Sequence, residues 1–233
     1  VDTYIRAGWY GNRNFPYTPG LDAAGIVLQV GQEVQDIAVG TRIFTSGSIT
    51  GTYAQQCLCT ASQLYELPNN LSFAQGAAVG VAYGTAYRAL FQRADAHAGK
   101  TVLIHGGSGG VGLAAIQLAK AAGLKIIATA GTKEGRKLLL NQGADLAVDH
   151  HDAEHFKRIL EFTNGSGVNI LLEMLANVNL GEDLKIMARR GQVVIIGSRG
   201  TVEINPRDAM SREVNMMGMM LAQAAETEKF QAY

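Results

Sequence analysis

Between residues 101 and 123 the chain reads TVLIHGGSGGVGLAAIQLAKAAG, and this stretch restricts the fold more than any other. Its opening residues are β-branched and apolar, the pattern of a buried parallel strand. A glycine cluster follows, in which Gly107, Gly109 and Gly112 are spaced G-x-G-x-x-G. Beyond it, Leu113, Ile116, Gln117 and Lys120 fall at helical spacing among alanines that favour a helix. Strand, tight turn and helix in this order predict a turn that wraps a diphosphate. The first glycine makes the bend, the second lets backbone approach phosphate with no Cβ in the way, and the third allows the helix to pack closely. The unpaired N–H groups and positive dipole end of the helix then face the anion. A glycine turn without a ligand is the alternative in a chain with 28 glycines.

After this unit, strand and helix patterns alternate. Strands are predicted over 125–129, 146–149, 168–173, 192–196 and 214–221, and helices over 133–142, 153–163, 180–189 and from 224 onward. Right-handed crossovers turn that alternation into an α/β doubly wound parallel sheet with strand order 3-2-1-4-5-6. Residues 1–70 read differently. Strands over 23–30, 42–45 and 52–60 follow one another between Gly, Pro and Asn turns, which predicts an antiparallel, barrel-like unit. Helices at 73–78 and 83–93 lead out of it, so we place a domain boundary between residues 82 and 83.

Composition narrows the function. Lys+Arg and Asp+Glu number 20 each, so no global field draws nucleic acid or an anionic membrane, and small soluble substrates are the default. Cys57 and Cys59, at i and i+2 in one predicted strand, point to the same face and are poorly placed to bridge, which favours a reducing, cytoplasmic setting. No run of 18 uncharged apolar residues is present. The chain begins at Val1 in mid-pattern and is expected to be a piece of a longer protein.

Cofactor selectivity is read at the end of the second strand of the alternation. Sheets that bind NAD place Asp or Glu about 20 residues past the glycines to hold the ribose hydroxyls. Here that position falls in Ala130-Gly-Thr-Lys133, with no carboxylate at the strand end. Gly131 leaves room for a 2′-phosphate and Lys133 would neutralise it, favouring NADPH. Lys133 as a solvated first-turn lysine is the alternative. His150 either stacks near the adenine or is simply exposed. Asn179 either caps a helix or touches the ligand. Asn177 and the Gly197-Ser198-Arg199 turn also fall at strand ends, and Gly197 is expected to let backbone approach the nicotinamide.

Further motifs carry a family resemblance over nearly the whole chain. They include Asp2-Thr-Tyr-Ile-Arg6, Tyr17-Thr-Pro-Gly20, Thr85-Ala-Tyr-Arg88, the glycine turn, Glu173-Met-Leu-Ala-Asn-Val-Asn179, and Glu203-Ile-Asn-Pro-Arg207. The sequence resembles the zinc-free, zeta-crystallin-type quinone oxidoreductases of the medium-chain dehydrogenase/reductase superfamily. The resemblance implies a partial GroES-like catalytic domain over 1–82 and a Rossmann domain over 83–233, truncated at both ends, with NADPH between them. It implies that the backbone around Gly107, Ser108, Gly109, Gly110 and Val111 holds the pyrophosphate, and that Gly131, Lys133 and His150 surround the adenosine. Asn179, Ile196, Gly197, Ser198, Arg199, Met219, Met220 and Leu221 would complete the cofactor site. Tyr4 and Tyr10 resemble tyrosines lining the nicotinamide and quinone pocket, with ordinary aromatic packing as the alternative.

The implied reaction passes reducing equivalents from NADPH to a quinone, with enone reduction as the nearest alternative. Lens-crystallin accumulation and RNA binding are implied as non-catalytic roles. Gly20-Leu-Asp22 stands where zinc alcohol dehydrogenases of the superfamily carry Gly-His-Glu, and no four-cysteine lobe is present, so no metal is expected. The apolar last strand is expected at a sheet edge, where pairing of two copies would give a homo-oligomer.

Overall fold

The computed structural model describes residues 2–9, 14–225, 228, 231 and 232. The chain divides into two units, Val1–Gly84 and Thr85–Ala232.

In the first unit, helix α1 (Asp2–Arg6) precedes strands β1 (Asp22–Ile26), β2 (Arg42–Ser46) and β3 (Leu64–Glu66). These form an antiparallel sheet in the order β1-β2-β3, with Ala24 opposite Phe44 and Thr45 opposite Leu64. Buried Thr45 ties the sheet to its approach, since its hydroxyl accepts from Ala23 N and donates to the Leu21 carbonyl, each at 2.9 Å. Helices α2 (Phe73–Gly76) and α3 (Gly80–Tyr87) follow, α2 starting at a capping box made by Ser72 and Gln75.

The expected strand over 52–60 is not formed. Leu64–Glu66 takes the free edge of β2 instead, leaving residues 52–60 without a ladder partner. Cys57 and Cys59 therefore lie in a bent loop, not on a strand face, with their Sγ atoms 3.9 Å apart.

The second unit opens with a π-helical turn (Arg88–Arg93) and then alternates. Its elements are β4 (Thr101–Ile104), α4 (Gly110–Ala121), β5 (Lys125–Thr129), α5 (Lys133–Gln142), β6 (Leu146–Val148), α6 (His155–Phe162), β7 (Val168–Glu173), α7 (Ala176–Asp183), β8 (Met187–Ile195), α8 (Pro206–Met210) and β9 (Asn215–Gly218). All six strands are parallel, in the order β6-β5-β4-β7-β8-β9, which is the 3-2-1-4-5-6 order expected. Near-continuous apolar strands bury both faces, and Leu103, Ile127, Val148, Leu171 and Val193 are fully enclosed in the core. Helix α5 follows its sequence signals closely. Thr132 Oγ1 caps it by accepting from Gly135 N at 3.0 Å, and Gly143 ends it at φ +114°.

One boundary differs from the sequence pattern in a way that matters below. The helix expected over 180–189 starts four residues earlier, at Ala176, and gives way to a 3₁₀ turn (Leu184–Ile186). Strand β8 then begins at Met187, because Met187 pairs with Val168 of β7 and buries its side chain. The helix propensity of Met-Ala-Arg-Arg yields to that ladder. The last expected strand also shortens, ending at Gly218 with a 3₁₀ turn (Leu221–Gln223) after it. Most of the helix expected beyond 224 falls outside the described residues.

Candidate functional site

Strand β4 delivers the chain into the glycine turn at the carboxyl edge of the sheet. Gly106, at φ +58°, makes the left-handed bend there, one residue ahead of the position the spacing assigns to it. Gly107 is buried, and a Cβ on it would lie 3.0 Å from Ala128 and Leu139 side chains, so its role is packing. Gly112 is held more tightly. A Cβ there would lie 2.6 Å from both the Gly106 carbonyl oxygen and the Gly107 Cα.

The turn so pressed against α4 presents Ser108, Gly109 and Gly110 to solvent, with Val111 half-buried behind them. Gly109 is the N-cap residue and supplies no side-chain acceptor. The first-turn N–H groups of α4 are therefore open toward an anion, and their dipole adds about 0.3–1 kcal/mol for each negative charge placed there.

Next along the edge, β5 ends at Thr129 and Ala130 follows it, with no carboxylate. Gly131 is enclosed by two imidazoles, since a Cβ would lie 2.7 Å from His151 Nε2 and 2.9 Å from His150 Nε2. The two rings meet edge to face at 4.4 Å. Exposed Lys133 begins α5 two residues after Gly131. Arg136 is turned to Asp149 at 2.6 Å, and its guanidinium also donates to the Ala130 carbonyl. The His151 backbone N–H and then Arg136 hold the Asp149 carboxyl below its ordinary range. Partial burial, and then the neighbouring His151, lower the basicity of His150. His151 escaped the sequence reading, although its adjacency to His150 at a strand end was a usable signal.

The turns after β7 and β8 are zipped together. Ile196 N and Gly197 N both donate to the Glu173 carbonyl, and Ala176 N donates to the Gly197 carbonyl. Gly197 is required by this approach, as a Cβ would sit 2.4 Å from the Met174 carbonyl oxygen. Ser198 Oγ donates to the Gly200 carbonyl at 3.0 Å, and Arg199 N donates to Asn177 Oδ1 at 2.8 Å. Asn179 lies inside α7 and caps nothing. Its Nδ2 donates to Glu173 Oε1 at 3.2 Å, which corrects the capping alternative. Met219 is buried and continues the β8–β9 ladder through its N–H to Ile195, while Met220 is exposed and Leu221 opens the 3₁₀ turn.

Beneath this edge lies a polar cluster that pattern reading missed. His105 follows β4, Glu173 ends β7 and Asp183 ends α7, and all three are buried. His105 Nε2 stands 2.8 Å from Asp183 Oδ1 and 3.6 Å from Glu173 Oε2. The three groups offer donor atoms within 4.8 Å of one another, the only candidate metal-ligand set among the described residues. A usable signal was Glu173 directly after the apolar run Ile170-Leu171-Leu172 at the end of a strand.

In the first unit, Tyr4 is half-buried on α1 with its ring stacked on Trp9 at 5.2 Å. Tyr10 lies outside the described residues. Where the zinc alcohol dehydrogenases of the superfamily carry a histidine stands Leu21, which has no donor atom, and the next residue, Asp22, accepts from Val81 N at 2.7 Å.

Two family models match this chain, the alcohol dehydrogenase GroES-like domain over residues 1–69 and the zinc-binding dehydrogenase over residues 110–232. Human quinone oxidoreductase is 47% identical over 234 residues, spanning 100% of this chain and 71% of the human protein. Escherichia coli quinone oxidoreductase, solved in complex with NADPH, superposes with a TM-score of 0.88 at 30% identity, covering 99% of this chain and 72% of that one. A mycobacterial protein solved with NADPH gives a TM-score of 0.89 at 30% identity over 99% of this chain and 73% of its own.

Proposed function

Because the chain belongs to the quinone oxidoreductases of the medium-chain dehydrogenase/reductase superfamily, we propose that it uses NADPH to reduce a quinone. The observation that carries this reading is the surround of Gly131. At a strand end without a carboxylate, the imidazoles of His150 and His151 close on Gly131 and exposed Lys133 opens the next helix two residues on, a donor set that suits a 2′-phosphate and not a bare ribose.

The residues present fit the dinucleotide. The backbone from Ser108 to Val111, with the first-turn amides of Gly110 and Val111 uncapped, would hold the pyrophosphate, and Lys133 with the two histidines would hold the adenosine phosphate. The Gly197–Arg199 turn and Met219–Leu221 would flank the nicotinamide. Bound NADPH supplies the reducing equivalents. The chain's own part is to bind, orient and exclude water, since a quinone accepts electrons readily and its protons come from solvent. No strong general acid is needed.

Zinc does not fit the place that dehydrogenases of this superfamily use for it. Leu21 offers no ligand atom and the Asp22 carboxylate is engaged by Val81 N. The exposed Met216 on β9, the outer strand, supports a homo-oligomer formed by edge pairing. The two free cysteines suit a reducing, cytoplasmic setting. Among the described residues no helix is long and apolar enough to cross a membrane. Zero net charge adds nothing to an RNA-binding role.

The test pairs two measurements. Fluorescence titration should show tighter binding of NADPH than of NADH, and steady-state NADPH oxidation should be faster with an ortho-quinone than with an enone. Faster turnover of the enone would transfer the assignment to alkene reduction, and equal binding of both cofactors would remove the role given to Gly131.

A further inference from the structure

The buried cluster under the glycine turn takes no part in the chemistry above, yet its hydrogen bonds form one directed chain. Gly106 N donates to Thr129 Oγ1 at 3.1 Å, and the Thr129 hydroxyl faces His105 Nδ1 at 3.3 Å. His105 Nε2 meets Asp183 Oδ1 at 2.8 Å. From the other side, Leu175 N and Asn179 Nδ2 both donate to Glu173 Oε1, at 2.5 and 3.2 Å. With Thr129 donating to Nδ1, the imidazole is neutral and its Nε2–H points to Asp183. Burial supports that state by lowering the basicity of His105.

Two acceptors remain. Glu173 Oε2 and Asp183 Oδ2 are buried and have no hydrogen-bond donor. Leaving both bare would cost about 1–3 kcal/mol each; the two carboxyls lie in one cluster whose ligand atoms are within 4.8 Å of one another and engage each other side chain to side chain, so a single hydrogen between them would satisfy both.

We propose that Glu173 and Asp183 share one proton, and that this proton locks the glycine turn after β4 to the turn after β7. Both carboxyls are then positioning residues for the cofactor edge. They reach the turn through His105 and Thr129 and reach Asn179 directly. The same three groups are also a candidate metal-ligand set, and a metal is the alternative occupant that the measurements below separate from a shared proton. Only the consequence for cofactor rests on the NADPH reading; the lock itself belongs to the ligand-free protein.

The groups facing the pair are His105 just after β4 and Asn179 from α7, with Glu182 on α7 and His150 after β6 further out. Burial, and then the Asp183 partner, push Glu173 up to about 8, and burial pushes Asp183 up to about 7. The two titrate as a pair. A carboxyl that holds its proton more tightly folded than unfolded makes stability fall as pH rises, here from the ordinary range near 4.5 through about 8. Above that, two carboxylates face each other in the interior and the lock opens.

The first measurement needs no variant and no cofactor. With glutamate carboxyl carbons labelled in the ligand-free chain, NMR should show one resonance titrating near pH 8, apart from the rest, and missing in Glu173→Gln. The second is NADPH fluorescence titration at pH 7 and 9.5. Wild type should weaken about tenfold, as a rearrangement of one pK unit's worth of free energy would give. Glu173→Gln should hold its ratio near one, because the amide donates to Asp183 at both pH values, whereas Glu173→Ala should bind poorly at both. A Glu173 resonance titrating in the ordinary range, or one equivalent of metal bound per chain, overturns the proposal. A resonance near pH 8 in a protein that binds no NADPH at any pH would uphold the lock and defeat the cofactor reading instead.

Discussion

Replacing Gly112 with alanine puts a methyl group 2.6 Å from two backbone atoms of the turn, the Gly106 oxygen and the Gly107 Cα. Neither atom can rotate away. To restore ordinary contact the start of α4 must retreat from the turn by about 0.8 Å. Overpacking of this kind costs about 1–3 kcal/mol, while alanine in place of glycine inside a helix returns about 1 kcal/mol. The net loss of stability is therefore about 1 kcal/mol. Cofactor binding should suffer more. Amides that sit at about 2.9 Å from a phosphate oxygen would move out of hydrogen-bond range, and a lost hydrogen bond to a charged group is worth about 1.5–3 kcal/mol. NADPH affinity should drop about tenfold or more. Thermal unfolding followed by circular dichroism and NADPH fluorescence titration measure the two effects separately. Gly31→Ala is the control, because its Cβ would meet nothing closer than a Val34 methyl at 3.9 Å. A Gly112→Ala protein that melts and binds NADPH like wild type would refute the role given to the third glycine.

Other expectations follow from particular contacts. Lys133→Ala should lose most of its preference for NADPH over NADH while melting normally, since Lys133 is exposed; an unchanged preference in the titration removes Lys133 from the phosphate site. Gly197→Ala places a Cβ 2.4 Å from the Met174 oxygen and should cost about 1–3 kcal/mol in urea unfolding by prising apart the turns after β7 and β8; an unchanged midpoint would show that the two turns yield. Asp149, whose carboxyl is held below its ordinary 3.8 by the His151 amide and then Arg136, adds stability at neutral pH that disappears on acidification through its lowered value. Asp149→Asn should accordingly fall below wild type in urea midpoint at pH 7 and converge with it below pH 3.8; a gap that widens in acid contradicts the assignment. Static light scattering should return more than one chain mass, and a monomer would exclude pairing through β9.

Much of the second unit was legible because its signals are local. The bounds of α5 follow from Thr132 and Gly143, and β5 and β7 are legible from their apolar cores, Ile126–Ala128 and Ile170–Leu172. Legibility failed where two segments compete for one partner. Residues 52–60 have the composition of a strand, but β3 occupies the edge of β2 that they would have used. Met187–Ile195 contains a helix-favouring start, yet β7 draws it into the sheet. Asn179 has the residue type of a cap, and its actual partner is an acid six residues earlier that only the end of β7 brings within 3.2 Å.

From its residues alone this chain declares a doubly wound sheet, a glycine turn opening a helix, and a strand end without the ribose-binding acid. Those features depend on periodicity, backbone freedom and the absence of a side chain, which a linear text records directly. Folding decides which glycine bends, since Gly106 and not Gly107 takes the positive φ, and it sets His151 beside His150 over Gly131. It also brings His105, Glu173 and Asp183, 78 residues apart at the extremes, into one buried cluster. Such long-range polar meetings depend on strand order and on where helices end, so no short window of sequence contains them.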